Sequence, residues 1–397
     1  MSGPWHTASH GPVNEDKSTR YHRRRRRAEM LGTAASGAVL IWLLVSGVSL
    51  SIREVSSFFG KLPGYEEAIT VATFAFALSL LLRVIELPFA YYTGFRLEHA
   101  YGLSTQRFGQ WLDDQLKATV LGLLLAVLGA SIVYATLRWS RDWWWAASAG
   151  IFAVAMVGLV QQAPVLLLPL FYRFKPLDRP ALVERLLALA ARAGTRIVGV
   201  YEWRLSSHTK KANAALAGVG RTRRILLSDT LLANYSDDEI EVVLAHELSH
   251  HVHYDLWRGM ALQTLLLFVG FLAAHLALRE LEQPLGLRGI DDPAGLPLLL
   301  VVGGICSLLF LPLANALSRR HERRADRFAL EMTQNAGPFV SAMKRLSQQN
   351  LAEEHPSRVV QWLFYSHPPI RDRIEAARAW ERGKSGDGTH DAEPEVA

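Results

Sequence analysis

The chain has 397 residues, of which 50% are hydrophobic and 20% charged, and its formal net charge is +6. A mean hydropathy of +0.11 lies above what a water-solvated domain needs. This composition excludes a disordered chain and a collagen-like repeat, and the single cysteine, Cys306, excludes a disulfide scaffold.

The first 30 residues form a basic tail with Lys17, Arg20 and the run Arg23 to Arg27. Six apolar stretches then reach the roughly 20 residues that a membrane crossing requires. They fall at about 31–52, 68–93, 118–137, 143–170, 257–278 and 294–317. The first is too long, with too long a polar lead, for a cleaved signal peptide, and reads as a retained anchor. The fourth holds Gln161, Gln162, Pro164 and Pro169 and reads as a kinked span. Arg83 and Glu86, three apart in the second span, are expected to pair or to line a water-filled space.

The basic residues orient the spans. Arg319, Arg320, Arg323, Arg324 and Arg327 crowd the exit of the sixth, whereas the three short loops on the other side hold two basic residues each. The bias puts both termini, the 94–117 loop and residues 171–256 in the cytoplasm, of a bacterial inner membrane or an endoplasmic reticulum. Topology and the lipid bilayer then account for the basic charge, and no nucleic acid partner is implied.

Residues 31–170 thus form an N-terminal membrane domain of four spans, and 171–382 a second domain with two more. The second opens with an amphipathic helix over 181–194. A small sheet is predicted from TRIVGVYEWRL, KANAALAGVG and RTRRILLSDTLL. Ser236 and Glu239 form a capping box at the start of a helix over 237–253. The polar, glycine-bearing residues 383–397 read as a disordered tail.

The capped helix carries His246-Glu247-Leu248-Ser249-His250. Histidines four apart share one helix face with Cβ atoms about 5–6 Å apart. Two imidazoles at that spacing suit tetrahedral zinc, with Glu247 between them able to reach a water on the metal. His251 and His253 fall off that face. A catalytic zinc wants one more protein ligand, and NALSRRHERRADRFAL offers Glu322 and Asp326, one turn apart. One would ligate while the other orients a ligand histidine. By itself that stretch is an arginine-rich helix with two neutralising acids; beside the histidine pair it becomes a metal site.

These motifs resemble the type I CAAX prenyl endopeptidases, integral-membrane zinc metalloproteases with bacterial relatives in membrane-protein quality control. The likeness runs through RLEHAYGLSTQRFGQWLDDQLK, KANAALAG, His246 to His250, SRRHERRAD and SHPPIRDRI, in the family's order. It implies one zinc ion per chain on His246, His250 and Glu322, with Glu247 as general base. It further implies that Asn213 holds the substrate backbone and that His367 and Arg373 steady the oxyanion. The eukaryotic members have seven spans where six are counted here.

The same roles can be argued chemically. Such an ion polarises the scissile carbonyl and acidifies a water whose proton Glu247 takes. A cationic or hydrogen-bonding partner is wanted across from that carbonyl oxygen, a contribution of about 3 kcal/mol that His367 or Arg373 could make. Residues 211–217 could form an edge strand that pairs with an extended peptide, with Asn213 fixing its register; the plain alternative is that Asn213 starts a turn. His250 precedes the fifth span by about seven residues and Glu322 follows the sixth by about five. At 1.5 Å per residue both lie within roughly 10 Å of the membrane face.

The fold expected is therefore a predominantly α-helical polytopic membrane protein of about six spans with a cytoplasmic zincin-like metalloprotease domain. Its substrates would be CAAX-type lipidated or membrane-tethered proteins, with general membrane-protein quality control as the alternative. A structural zinc site or a metal transporter fits less well, because closed sites usually include cysteine. Oligomeric state is not legible.

Overall fold

The computed structural model describes residues 13–218, 223–353 and 356–386. The helices in the first half are α1 (Val13–Val45), α2 (Val48–Phe59), α3 (Glu66–Tyr91), α4 (Leu97–Ala100), α5 (Phe108–Trp139), α6 (Trp144–Gln162) and α7 (Leu168–Phe171). The second half contains β1 (Phe174–Pro176), α8 (Pro180–Arg192), β2 (Gly199–Trp203), β3 (Ala214–Ala217), β4 (Arg224–Ser228) and α9 (Asp229–Asn234). It continues with α10 (Asp237–Val252), α11 (Asp255–Leu281), α12 (Leu296–Thr333), α13 (Ala336–Asn350), α14 (Arg358–Phe364) and α15 (Ile370–Gly386).

Among the described residues, six helices are long and apolar enough to cross a membrane: α1, α3, α5, α6, α11 and α12. Their outward faces stay uncovered by protein, as at Leu124, Val154 and Leu309, which is how a lipid-facing surface looks without its lipid. Inward faces pack into a membrane core around Leu43, Phe74, Leu78, Tyr134, Leu137, Trp144 and Leu278.

Several boundaries differ from the sequence reading. The basic tail is helical from residue 13 and runs into the first span without a break. That span ends at Val45 rather than 52, because Gly47 takes a left-handed φ of 74° and starts α2 in a new direction. The fourth candidate span, Trp144–Gln162, is shorter than the stretch 143–170 and gives way to a wider, π-type turn at Ala163–Leu167. Residues 383–386, expected in a disordered tail, are the last turn of α15, and residues 387–397 lie outside the described residues. Arg83 and Glu86 form no ion pair among the described residues. Arg83 reaches across to α5 instead, donating from Nε to Thr119 Oγ1 at 2.9 Å and from Nη2 to Gln115 Oε1 at 2.5 Å.

The second core belongs to the domain that carries the chemistry. Leu182, Leu186 and Leu189 of α8 repeat at helical spacing and meet Ile225 and Leu227 of β4, then Ile240, Leu244 and Leu248 of α10. Ala329 of α12 and Phe339 of α13 close it from the other side. The four-stranded sheet has the order β1-β2-β4-β3, parallel only between β2 and β4. β3 therefore lies at one edge, antiparallel to β4 with Ala215 opposite Leu226.

Candidate metal centre and active site

Helix α10 starts where the sequence predicts, with the Ser236 hydroxyl accepting from Glu239 N and the Glu239 carboxylate accepting from Ser236 N at 2.8 Å. One turn apart on its later half, the His246 and His250 rings stand nearly perpendicular, with centroids 5.1 Å apart. The other contributor is α12, which does not stop at the membrane boundary but continues to Thr333 and carries Glu322 to α10.

Glu322 meets both imidazoles. Its Oε2 lies 3.2 Å from His246 Nε2 and its Oε1 3.5 Å from His250 Nε2. One ligating atom from each of His246, His250 and Glu322 lies within 4.8 Å of the others. The opposite edge of each ring is occupied. His246 Nδ1 lies 3.0 Å from Asp326 Oδ1, and His250 Nδ1 lies 3.0 Å from Asp255 Oδ2. A proton on each Nδ1 satisfies these carboxylates and leaves both Nε2 lone pairs turned toward Glu322, the tautomer a metal requires. Glu322 Oε2 is buried and, despite its close neighbours, makes no aligned hydrogen bond. The donor set of two nitrogens and one carboxylate, with an orphaned oxygen at its centre, fits a divalent ion such as zinc.

The same carboxylates favour a positive charge at the cluster, which a proton on Nε2 or a cation would supply. Burial opposes charge on His246, but the Asp326 and Glu322 carboxylates outweigh it and raise the imidazole to about 9. Burial likewise opposes charge on His250, and Glu322 and Asp255 reverse it. With only protein groups around it, the cluster favours positive charge. Glu247 sits among the same groups. Desolvation pushes its carboxyl upward, against the pull of His246 and His250.

His367 and Arg373, both considered for the oxyanion, occupy different places. His367 is largely exposed, and its Nδ1 lies 2.8 Å from Glu322 Oε2, on the open side of the cluster. Arg373 is buried behind it. The guanidinium grips Asp326 with Nε to Oδ2 at 2.8 Å and Nη2 to Oδ1 at 2.5 Å, and its Nη2 approaches His246 Nδ1 at 3.4 Å. It touches the histidine edge turned away from Glu322. Asn213 precedes β3 and is exposed, with its backbone paired to Ser228 through N to Oγ at 2.9 Å and O to N at 3.0 Å.

Two groups escaped the sequence reading. Asp255 opens α11 and also pairs with Arg324 of α12. Its signal was available, an acid just after the histidine helix and just before a span, but the turn that folds it back was not. His251 lies off the ligand face as the helical spacing predicts, and there its Nε2 lies 3.3 Å from Leu216 O and ties the edge strand to α10.

A helical bundle of six apolar helices, with two helix-borne histidines, an intervening glutamate and a distant carboxylate gathered at its end, defines an integral-membrane metallopeptidase. Comparison with known proteins makes the assignment specific. The model of peptidase family M48 matches residues 176–381, and the model described as CAAX prenyl protease N-terminal, five membrane helices, matches 12–173. The chain belongs to peptidase family M48, and it is a metalloendopeptidase.

Among its relatives, the uncharacterised metalloprotease YhfN of Bacillus subtilis is 30% identical over 343 residues, 85% of this chain and 79% of that one. The probable CAAX prenyl protease 1 of Schizosaccharomyces pombe is 29% identical, over 76% of this chain and 64% of that one. CAAX prenyl protease 1 of Saccharomyces cerevisiae is 26% identical, over 75% and 70%. The crystal structure of S. mikatae Ste24p superposes with a TM-score of 0.81 at 20% identity, covering 95% of this chain and 91% of that one, a likeness of fold.

Proposed function

We propose that the protein is a zinc-dependent endopeptidase that cuts membrane-tethered chains, CAAX-type lipidated tails in particular, at the cytoplasmic face. One observation carries this reading. Glu322 lies on the helix that forms the sixth candidate span, and Asp255, the partner of His250, is the first residue of the helix that forms the fifth. A peptide bond brought to these groups is therefore close to lipid, which favours substrates held there.

His246, His250 and Glu322 would hold the ion, which when bound polarises the scissile carbonyl and makes water acidic enough to ionise near neutral pH. Glu247 takes the proton of the attacking water and passes it to the departing nitrogen. His367, on the open side, donates a hydrogen bond to the carbonyl oxygen as negative charge develops there. Arg373 acts at a remove, fixing Asp326 and through it the His246 ring. The half-buried outer edge of β3 accepts the substrate as an added strand, and Asn213 just before it sets the register. The basic run of α1 and the arginines after the sixth span favour placing this end of the bundle in the cytoplasm.

The test is cleavage of four substrates: one peptide farnesylated at a CAAX cysteine, tethered by another lipid, or free of lipid, and beside it an unfolded membrane protein. Faster cleavage of the tethered forms is expected. Equal rates on all four would overturn the tethering argument, and preferential cleavage of an unfolded membrane protein would favour a quality-control role.

A further inference from the structure

The segment leading into β3 is fastened more fully than a connecting loop needs. Lys210 N donates to Leu103 O at 2.8 Å, and Thr230 Oγ1 donates to Lys211 O at 2.7 Å. Ala212 N donates to Asn350 Oδ1 at 3.1 Å, and Asn350 Nδ2 donates back to Ala212 O at 3.3 Å. Together with the pairing of Asn213 to Ser228, these bonds anchor successive residues from elements far apart in the chain. At the other end of the strand, His251 holds Leu216.

One side chain joins this platform to the membrane domain. Lys211 Nζ lies 3.0 Å from Glu98 Oε1, and Glu98 is only 8% exposed. The same carboxylate oxygen accepts from the Tyr21 hydroxyl and lies 3.4 Å from Arg25 Nη1. Glu98 follows the second span, and Tyr21 and Arg25 belong to the helical lead of the first. A single carboxylate thus holds two cations from different domains. Without it Lys211 would face Arg25 across a half-buried space; Arg25 keeps Glu29 at 2.9 Å, so Lys211 is the cation left unpaired and driven toward solvent. Lys211 is two residues from Asn213, so its displacement shifts the start of the edge strand.

We propose that Glu98, acting through Lys211, is a positioning residue that sets the register of β3 against the peptide substrate. The proposal rests on the reading of β3 and Asn213 as the substrate-binding edge. It makes no demand on the metal, because neither Glu98 nor Lys211 touches His246, His250 or Glu322. A small misplacement of a binding element weakens the grip on substrate in the ground and transition states alike, which raises KM and spares kcat.

Purified full-length wild type, Glu98→Gln, Lys211→Met and Lys211→Arg should be compared on one membrane-tethered peptide, recording KM, kcat, zinc per chain and thermal midpoint. Glu98→Gln and Lys211→Met should each raise KM about tenfold and leave kcat within about twofold. Zinc content should hold even where loss of the buried Glu98 pair lowers the midpoint, and Lys211→Arg, which keeps the charge, should keep the wild-type KM. An unchanged KM in Glu98→Gln overturns the proposal. So does a joint fall of zinc content and midpoint, or failure of both neutral variants to fold, since either outcome means a structural role. Failure of the function itself shows elsewhere, as cleavage by wild type that survives Glu247→Gln.

Discussion

His250 and Asp255 are five residues apart and belong to different helices, yet Asp255 Oδ2 lies 3.0 Å from His250 Nδ1. The turn between them makes this possible. Tyr254 takes a φ of 56°, in the left-handed region that a bulky side chain rarely enters, and reverses the chain between α10 and α11. The first residue of a candidate membrane span thereby orients a histidine of the metal cluster, and Arg324 from the other contributing helix steadies the same carboxylate.

Neutralising that carboxylate should loosen the metal without removing a ligand. Asp255→Asn is expected to weaken zinc binding by about 10–100-fold, as measured by competition with a chromogenic chelator. Wild-type affinity in this variant would mean that the His250 orientation is set by packing alone.

Glu247→Gln should retain one zinc per chain and lose about 10²–10⁴-fold in kcat. The amide preserves shape but cannot accept the proton. Metal content by atomic absorption together with hydrolysis rate decides the point, and substantial residual turnover would exclude Glu247 as the base.

Removing the ion should destabilise the whole catalytic domain. Zinc at about 1,000 times its dissociation constant contributes about 4 kcal/mol to the folded state. Chelation should therefore lower the thermal midpoint and abolish hydrolysis, and zinc should restore both. In Glu322→Gln the midpoint should respond far less to zinc; a full wild-type response would remove Glu322 from the ligand set.

Arg373 and Asp326 should act as one unit. If the guanidinium works through the carboxylate, Arg373→Met and Asp326→Asn will be non-additive in kcat, with a coupling of about 0.5–3 kcal/mol in a double-mutant cycle. Strict additivity would instead support a direct role for Arg373 at the substrate.

Glu239 ties the start of α10 to α13 and should make stability depend on acid pH. Burial opposes its ionisation, but hydrogen bonds from Ser341, Ser236 N and Arg345 prevail and hold its pKa below the usual carboxylate value. The unfolded chain therefore takes up this proton at higher pH than the folded one. The contribution is complete above the unfolded pKa and is lost as pH falls through the folded one. Glu239→Gln should cost about 2 kcal/mol at neutral pH and progressively less below pH 4.5. A difference from wild type that does not shrink with acidification would assign the effect to packing.

How much of this was legible beforehand follows from the range over which each feature is determined. Span number, the capping box at Ser236 and the histidine pair depend on residues within a few turns, so composition and periodicity suffice to read them. Six stretches of the length a bilayer demands have no other stable use, and 3.6 residues per turn put His246 and His250 on one face in any helix. The sequence also held two candidate acids, Glu322 and Asp326, one turn apart. Periodicity could not separate them, because nothing local says which side of α12 faces α10.

Tertiary structure separates them, setting Glu322 against the Nε2 edges of both histidines and Asp326 against the Nδ1 edge of His246. It alone turned Arg373 behind the cluster, brought Asp255 back past a left-handed tyrosine, and joined Glu98 of the first loop to Lys211. Those pairings link residues up to 127 positions apart, as between Arg373 and His246. Contacts of that reach depend on how α10 and α12 pack and on the direction each turn takes, and local pattern carries neither.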